Sequence, residues 1–159
     1  MFAHNGFIII LTLLVALVAS IMPLPLSFDN FRPSWVLIVL CYWSLALPTY
    51  VNVITAWFMG LLLDVLLGAT LGVNAAAMAL SLYIVIGNFQ KIRNFSVWQQ
   101  ALIVGVVTAL YQLIVFWLQH LLIDAVFVIG YLSPVITTII LWPWLFLLLR
   151  KIRRNFQVK

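Results

Sequence analysis

The sequence predicts an all-α fold, a polytopic membrane bundle of about six transmembrane helices. Composition is the first reason: 67% of the 159 residues are hydrophobic and only 7% are charged. A soluble domain is about half apolar and about one quarter charged. The second reason is a mean hydropathy of +1.25, and the third is that apolar stretches of nearly membrane-spanning length fill most of the chain. Together these features exclude a soluble globular protein.

Apolar stretches separated by polar residues, proline or glycine delimit the predicted helices. They cover residues 6–22, 34–47, 50–67, 73–89, 98–121 and 132–149. A helix needs about 20 residues, with a range of about 17–25, to cross about 30 Å of hydrocarbon. Residues 34–47 form the one stretch that is clearly shorter, bounded by Pro33 and Pro48. A re-entrant segment is therefore the alternative to a complete crossing there.

The chain is predicted to be a single integral membrane domain, residues 1–159, with a basic cytoplasmic tail at 150–159. The first apolar stretch has no basic residues before it. A secretory signal peptide normally begins with a positively charged region. We therefore predict that this stretch is an uncleaved membrane anchor.

The basic residues lie on one side of the predicted membrane. Those that follow the fourth or the sixth helix are Lys91, Arg93, Arg150, Lys151, Arg153, Arg154 and Lys159. The loops of the opposite side, residues 23–33, 68–72 and 122–131, contain one basic residue, Arg32. Because cytoplasmic loops carry the excess of lysine and arginine, both termini are predicted to be cytoplasmic.

The segment "GLLLDVLLGATLG" (60–72) contains a carboxylate within an apolar helix. Gly60, Asp64, Gly68 and Gly72 recur every four residues, and this spacing puts the first three on one helix face. Glycine at such positions lets a second membrane helix approach closely, and "NAAAMALS" (74–81) offers a matching surface of small residues. We therefore predict a tight hairpin of the third and fourth helices, with Asp64 facing protein about one turn inside the outer interface.

A carboxylate in this position requires a partner or a proton. Arg32 is the one basic residue predicted on the outer side, and Asn74 and Thr70 carry side-chain hydrogen-bond donors. The sequence thus predicts either a structural ion pair of Asp64 with Arg32 or a neutral, hydrogen-bonded acid. A proton or cation site used in transport and a contact to a partner protein are the alternatives.

A second polar stripe lies in the fifth predicted helix. Its members recur at helical spacing and are Gly105, Thr108, Gln112 and Gln119. Polar side chains in membrane helices commonly form hydrogen bonds across helix pairs. We therefore expect interhelical hydrogen bonds from this stripe.

No catalytic, cofactor-binding or metal site is predicted. His4 and His120 are far apart and Cys41 is the single cysteine, a pattern that does not indicate a metal centre. Phosphate loops, GxSxG elbows and paired carboxylates are not found in the sequence. His120 and Asp124 are predicted to form an interfacial pair. Basic residues directly after a membrane span favour attraction to anionic membrane lipids, and no nucleic acid is expected as a partner.

Four segments together resemble the MreD family of rod shape-determining proteins. They are "FRPSWVLIVLCYWSLALPTYVNV" (31–53), "GLLLDVLLGATLG" (60–72), "NFSVWQQALIV" (94–104) and "LWPWLFLLLRKIRRNF" (141–156). The resemblance implies a bacterial inner-membrane protein without known catalytic activity. It implies MreC, indirectly the actin-like MreB, and RodA with its partner transpeptidase as partners in the elongasome, which directs lateral peptidoglycan synthesis and maintains cell shape. It also implies helices arranged as in the substrate-binding subunits of energy-coupling vitamin transporters.

The sequence and the resemblance leave three classes of function to consider. The favoured class is a non-catalytic interaction module of the cell-elongation complex. A substrate-binding membrane subunit of a small-molecule transporter is the alternative, and it would need several polar residues around a cavity. A membrane-embedded enzyme would need an acid/base pair, which the sequence does not contain. The residues predicted to have structural or partner-binding roles are Arg32, Asp64, Gly60, Gly68, Gly72, Asn74 and Gln112.

Overall fold

A computed structural model of the protein describes residues 2–22, 25, 33–68, 70–124, 126 and 132–158. Over these residues the fold is all-α, as predicted, and no strand is found. The helices are α1 (Phe2–Ile21), α2 (Trp35–Ala46), α3 (Val53–Leu67), α4 (Val73–Gly87), α5 (Phe89–Arg93), α6 (Val97–Ile123) and α7 (Ser133–Asn155). The short α5 was not predicted as a separate element, and it turns the chain between α4 and α6.

Helix α2 is the centre of the bundle. Every residue from Val36 to Leu45 is buried, so this helix is surrounded by protein and needs no polar face. Its 12 residues span only about 18 Å. Ser34, just before α2, lines a crevice with Gln119 of α6. At the other end, the Leu45 carbonyl accepts a hydrogen bond of 3.0 Å from Nε of Arg93. Helix α2 therefore runs from one end of the bundle to the other.

The remaining long helices surround α2 as two hairpins and one separate helix. Helix α3 packs against α4, α6 packs against α7, and α1 packs against α2. The chain ends come together, because Nε2 of His4 lies 3.1 Å from the carbonyl oxygen of Phe156. Arg93, Arg150 and Arg153 line one pocket at this same end, which we call the basic end. The opposite end, where α3 and α6 terminate, is called the acidic end, because Asp64 and Asp124 lie there.

The helix lengths differ from the predicted ones: α1, α6 and α7 are longer, and α2, α3 and α4 are shorter. Helices α3 and α4 have 15 residues each. Helix α3 begins after Asn52, whose side chain caps it, and ends at Gly68, which has a left-handed conformation. Helix α7 continues through the basic residues to Asn155, so most of the predicted tail is helical. Lysine and arginine favour helix and interact well with a helix C-terminus. Helices α1, α6 and α7 are long and apolar enough to span a membrane.

Candidate functional site

The hairpin of α3 and α4 is held together by a close backbone approach at Gly60. A Cβ atom at this position would lie 2.7 Å from the amide nitrogen of Ala75 and 2.8 Å from the carbonyl oxygen of Asn74. Both atoms belong to the backbone of α4 and cannot move aside as a flexible side chain does. Glycine at position 60 therefore sets the distance between the two helices, as expected for small-residue packing.

Asp64 lies one turn further along α3 and points at the first turn of α4. Its Oδ1 accepts hydrogen bonds from the backbone nitrogen of Asn74 at 3.2 Å and from Nδ2 of Asn74 at 2.8 Å. Its Oδ2 accepts from the amide nitrogens of Gly72 at 3.0 Å and Ala75 at 3.4 Å. The side chain is fully buried. Among the described residues, both oxygens contact only N–H donors, and this geometry fits a carboxylate that acts purely as an acceptor.

This carboxylate acts as the N-terminal cap of a neighbouring helix. The first amides of a helix have no partner within it, and the capping position of α4 is Gly72, which has no side chain to supply one. Asp64 accepts the amides of Asn74 and Ala75, and the Thr70 carbonyl lies 3.4 Å from the Val73 nitrogen. The positive end of the α4 dipole also favours a negative charge here. The carboxylate thus completes the hydrogen bonding of α4.

Tyr111 extends this network to a third helix. Its hydroxyl group donates a short hydrogen bond to Oδ1 of Asn74, whose Nδ2 donates to Asp64. Helices α3, α4 and α6 are therefore joined by one buried chain of hydrogen bonds. Tyr111 is not among the residues predicted from the sequence. The available signal was a tyrosine in an apolar helix, because a buried phenol requires a hydrogen-bond partner.

Two further residues, Arg32 and Thr70, were predicted as partners of Asp64. Arg32 lies outside the described residues, so the ion pair remains a prediction. Within the described part of the chain, the Thr70 side chain forms no hydrogen bond with Asp64. Gly68 and Gly72 share the left-handed conformation, with φ of 67° and 96°. Their main role is therefore to form the turn between α3 and α4, for which L-residues with side chains are poorly suited.

The residues of the polar stripe in α6 make different kinds of contact. A Cβ atom at Gly105 would meet the Ile139 side chain of α7, so this glycine serves helix packing. The prediction of an interhelical hydrogen bond is wrong for Thr108, whose hydroxyl donates to the Val104 carbonyl of the same helix at 2.8 Å. A threonine inside a helix readily satisfies its hydroxyl in this way. Gln112 and Gln119 line the crevice at the acidic end.

That crevice has a volume of about 250 Å³ and lies beside the Asp64 network. Asn74 and Tyr111 line it together with the two glutamines of α6. Ligand sites for small molecules commonly measure about 300–1,000 Å³, so this crevice is small for such a site. Among the residues with described side chains, no three His, Cys or acidic residues come together to hold a metal ion.

An apolar groove of about 460 Å³ runs between α1 and α7. We call it the α1–α7 groove. Its walls include Leu11 and Val15 of α1 and Leu148 and Ile152 of α7, and Val39 of α2 lies at its floor. The groove could not be predicted from the sequence, because its lining residues come from three helices, and α7 is distant in the chain from α1 and α2.

Sequence comparison relates the chain to proteins of bacterial cell shape. A family model described as rod shape-determining protein MreD matches residues 1–152. The rod shape-determining protein MreD of Haemophilus influenzae is 36% identical over 157 residues, which cover 99% of this chain and 97% of that protein. No solved structure matches the chain, so the likeness to vitamin-transporter subunits remains a prediction.

Proposed function

The chain belongs to the MreD family of rod shape-determining proteins, and we propose that it is a membrane interaction module of the bacterial cell-elongation complex. The family is one of structural proteins and is not known for an enzymatic activity. In this proposal the bundle links MreC, and through it MreB, to the peptidoglycan synthesis carried out by RodA and its partner transpeptidase. The α1–α7 groove is the observation that carries the proposal.

The groove has the chemistry of a site for one transmembrane helix. Its lining is almost wholly apolar. Thr12 also lines the groove, but its hydroxyl is already hydrogen-bonded within the protein. It donates to the Ile9 carbonyl at 2.8 Å and accepts from Nε1 of Trp43 at 2.9 Å. Ala16 and Ala19 on the α1 wall permit close approach of a partner helix, which in membranes depends on packing at small residues. We infer that the occupant is the transmembrane helix of MreC.

The orientation of the bundle in the proposal follows from its charges. Arg93, Arg150 and Arg153 mark the basic end, and an excess of basic residues marks the cytoplasmic side of a membrane protein. The proposed location is the bacterial inner membrane, with both termini in the cytoplasm. The Asp64 network then lies toward the periplasm and maintains the packing of α3, α4 and α6.

Cysteine crosslinking tests the groove directly. Leu11→Cys and Leu148→Cys, one on each wall, are expected to form disulfides with cysteines scanned along the MreC helix. Leu102→Cys on α6 is the matched control, because Leu102 is 60% exposed, compared with 48% for Leu11 and 53% for Leu148. The native Cys41 is buried and is retained. Crosslinks of equal yield at position 102, or none in the groove, would contradict this docking site.

Depletion tests the class of function. In a rod-shaped host, loss of the protein is expected to give rounded cells, while the purified protein leaves peptidoglycan precursors unchanged. Normal rods after depletion would contradict a role in cell shape. Measurable turnover of the precursors would instead favour an enzyme.

The transporter alternative would use the crevice at the acidic end. Its volume is about 250 Å³, below the usual range for a ligand pocket. The Asn74 side chain, a buried polar group in its lining, already donates to Asp64 and accepts from Tyr111. Both observations favour the interaction module.

A further inference from the structure

A second cavity, of about 460 Å³, lies at the basic end between α2, the α5–α6 connection and α7. It is separate from the α1–α7 groove and has a different lining. Arg93, Arg150 and Arg153 contribute guanidinium groups, and Tyr42 and Phe146 contribute aromatic rings. These two rings pack edge to face with their centroids 5.6 Å apart. We call this cavity the basic pocket.

The charges of the basic pocket favour an anion. The acidic residues with described positions, Asp64 and Asp124, lie at the opposite end of the bundle. Arg93 is held in place, because its Nε donates to the Leu45 carbonyl at 3.0 Å and its guanidinium carbon lies 5.1 Å above the Phe89 ring. The N-terminus of the long helix α6 also borders the pocket at Ser96 and adds a partial positive charge. Guanidinium groups bind phosphate particularly well, since their donors match its oxygens in pairs.

The side chain of Gln100 indicates a second property of the molecule that binds in the basic pocket. This pocket-lining side chain is only 3% exposed. Its Nε2 donates to the carbonyls of Ile92 at 3.0 Å and Arg93 at 3.4 Å, which defines the orientation of the amide. Its Oε1 is buried and accepts no hydrogen bond in the described structure. A buried acceptor without a partner is unfavourable, so the occupant should carry a hydrogen-bond donor as well as a negative charge.

We propose that the basic pocket binds the headgroup of phosphatidylglycerol. The phosphate contacts the arginines, and a glycerol hydroxyl donates to Oε1 of Gln100. A lipid is favoured over a soluble phosphate by position, because Arg150 directly follows the apolar part of α7 and the exposed Trp98 and Trp144 lie nearby in sequence. Exposed tryptophans are typical of the level of the headgroups. The basic pocket binds a single lipid molecule, whereas the general attraction of a basic tail to an anionic surface involves no defined number of lipids.

Two double variants that remove the same charge distinguish binding in the basic pocket from the general attraction of basic residues to an anionic surface. Arg150→Gln with Arg153→Gln removes two guanidiniums that line the pocket, whereas Lys151→Gln with Arg154→Gln removes the same charge from the same helix outside it. The full-length protein in neutral detergent is titrated with phosphatidylglycerol, and the adduct with one lipid is measured by native mass spectrometry. The first pair should weaken binding about tenfold or more, as expected for lost charge-assisted hydrogen bonds, and the second less than about twofold. Equal losses would overturn the proposal.

A comparison of lipids tests the donor requirement on the unaltered protein, so it does not depend on the folding of a variant. Phosphatidylmethanol carries the same charge as phosphatidylglycerol but no hydroxyl group. Phosphatidylglycerol should bind about threefold to tenfold more tightly, the range for one neutral hydrogen bond, and phosphatidylcholine more weakly than both. Equal binding of the two anionic lipids would overturn the role of Gln100. Displacement of the lipid by millimolar inorganic phosphate would overturn the lipid as occupant in favour of a soluble phosphate, and displacement by hexaglutamate in favour of an acidic protein segment.

Discussion

Replacing Asp64 by asparagine removes one charge without changing the shape of the side chain. In the wild-type protein Oδ1 accepts both hydrogen bonds from Asn74, while Oδ2 accepts the amides of Gly72 and Ala75. Asparagine keeps one acceptor oxygen and replaces the other by an NH₂ group. If its oxygen takes the Oδ1 position, the NH₂ group faces two backbone N–H donors that then lack an acceptor.

The size of the effect follows from these contacts. A buried donor without an acceptor costs about 1–3 kcal/mol, and the half-buried Gly72 amide belongs at the lower end of that range because water can reach it. Loss of a negative charge at a helix N-terminus costs about 0.3–2 kcal/mol, with the higher values in partly buried geometry. We therefore expect Asp64→Asn to lower the free energy of unfolding by about 3 kcal/mol.

Equilibrium unfolding in mixed detergent micelles, followed by tryptophan fluorescence, measures this change. Asp124→Asn is the matched control, because Asp124 is exposed and ends α6 with a φ of 52°, a conformation that asparagine adopts readily. This control should change the free energy of unfolding by less than about 1 kcal/mol, the upper limit for an exposed ion pair such as the one predicted with His120. If Asp64→Asn stays within about 0.5 kcal/mol of the wild type, the capping of α4 by Asp64 does not stabilise the protein.

Three further predictions concern the same hairpin and its orientation. Gly60→Ala should cost about 1–3 kcal/mol, because the new Cβ would lie 2.7 Å from a backbone nitrogen of α4. Gly6→Ala, which meets open space, should be neutral or slightly stabilising, and equal effects would contradict the close approach of α3 and α4. A double-mutant cycle of Asp64→Asn with Arg32→Gln should give a coupling above about 0.5 kcal/mol; additive effects would exclude the predicted ion pair. A reporter at the C-terminus should be cytoplasmic and one in loop 68–72 external, whereas a periplasmic C-terminus would reverse the proposed orientation.

The all-α membrane fold could be predicted from the sequence, because apolar composition and the length of apolar stretches depend on local chemistry alone. The close packing at Gly60 was also predictable, since residues four apart share a helix face. The resemblance of four segments led to the family, which sequence comparison then supported. Helix ends were less predictable. Helix α7 continues through Arg150 to Asn155, because hydropathy marks where an apolar stretch ends and not where hydrogen bonding ends.

The hydrogen-bond donors around Asp64 and the positions of the two large cavities depend on how the helices pack. For Asp64 either an ion pair with Arg32 or a neutral, hydrogen-bonded acid was predicted. Among the described residues, its donors are backbone amides at the start of α4 and the side chain of Asn74. Those amides point at the carboxylate only because Gly68 and Gly72 turn the chain in left-handed conformations. The basic pocket brings together Arg93, Gln100 and Arg153, which no spacing along the chain relates. Their meeting depends on how α2, α6 and α7 pack, and packing is a property of the assembled helices.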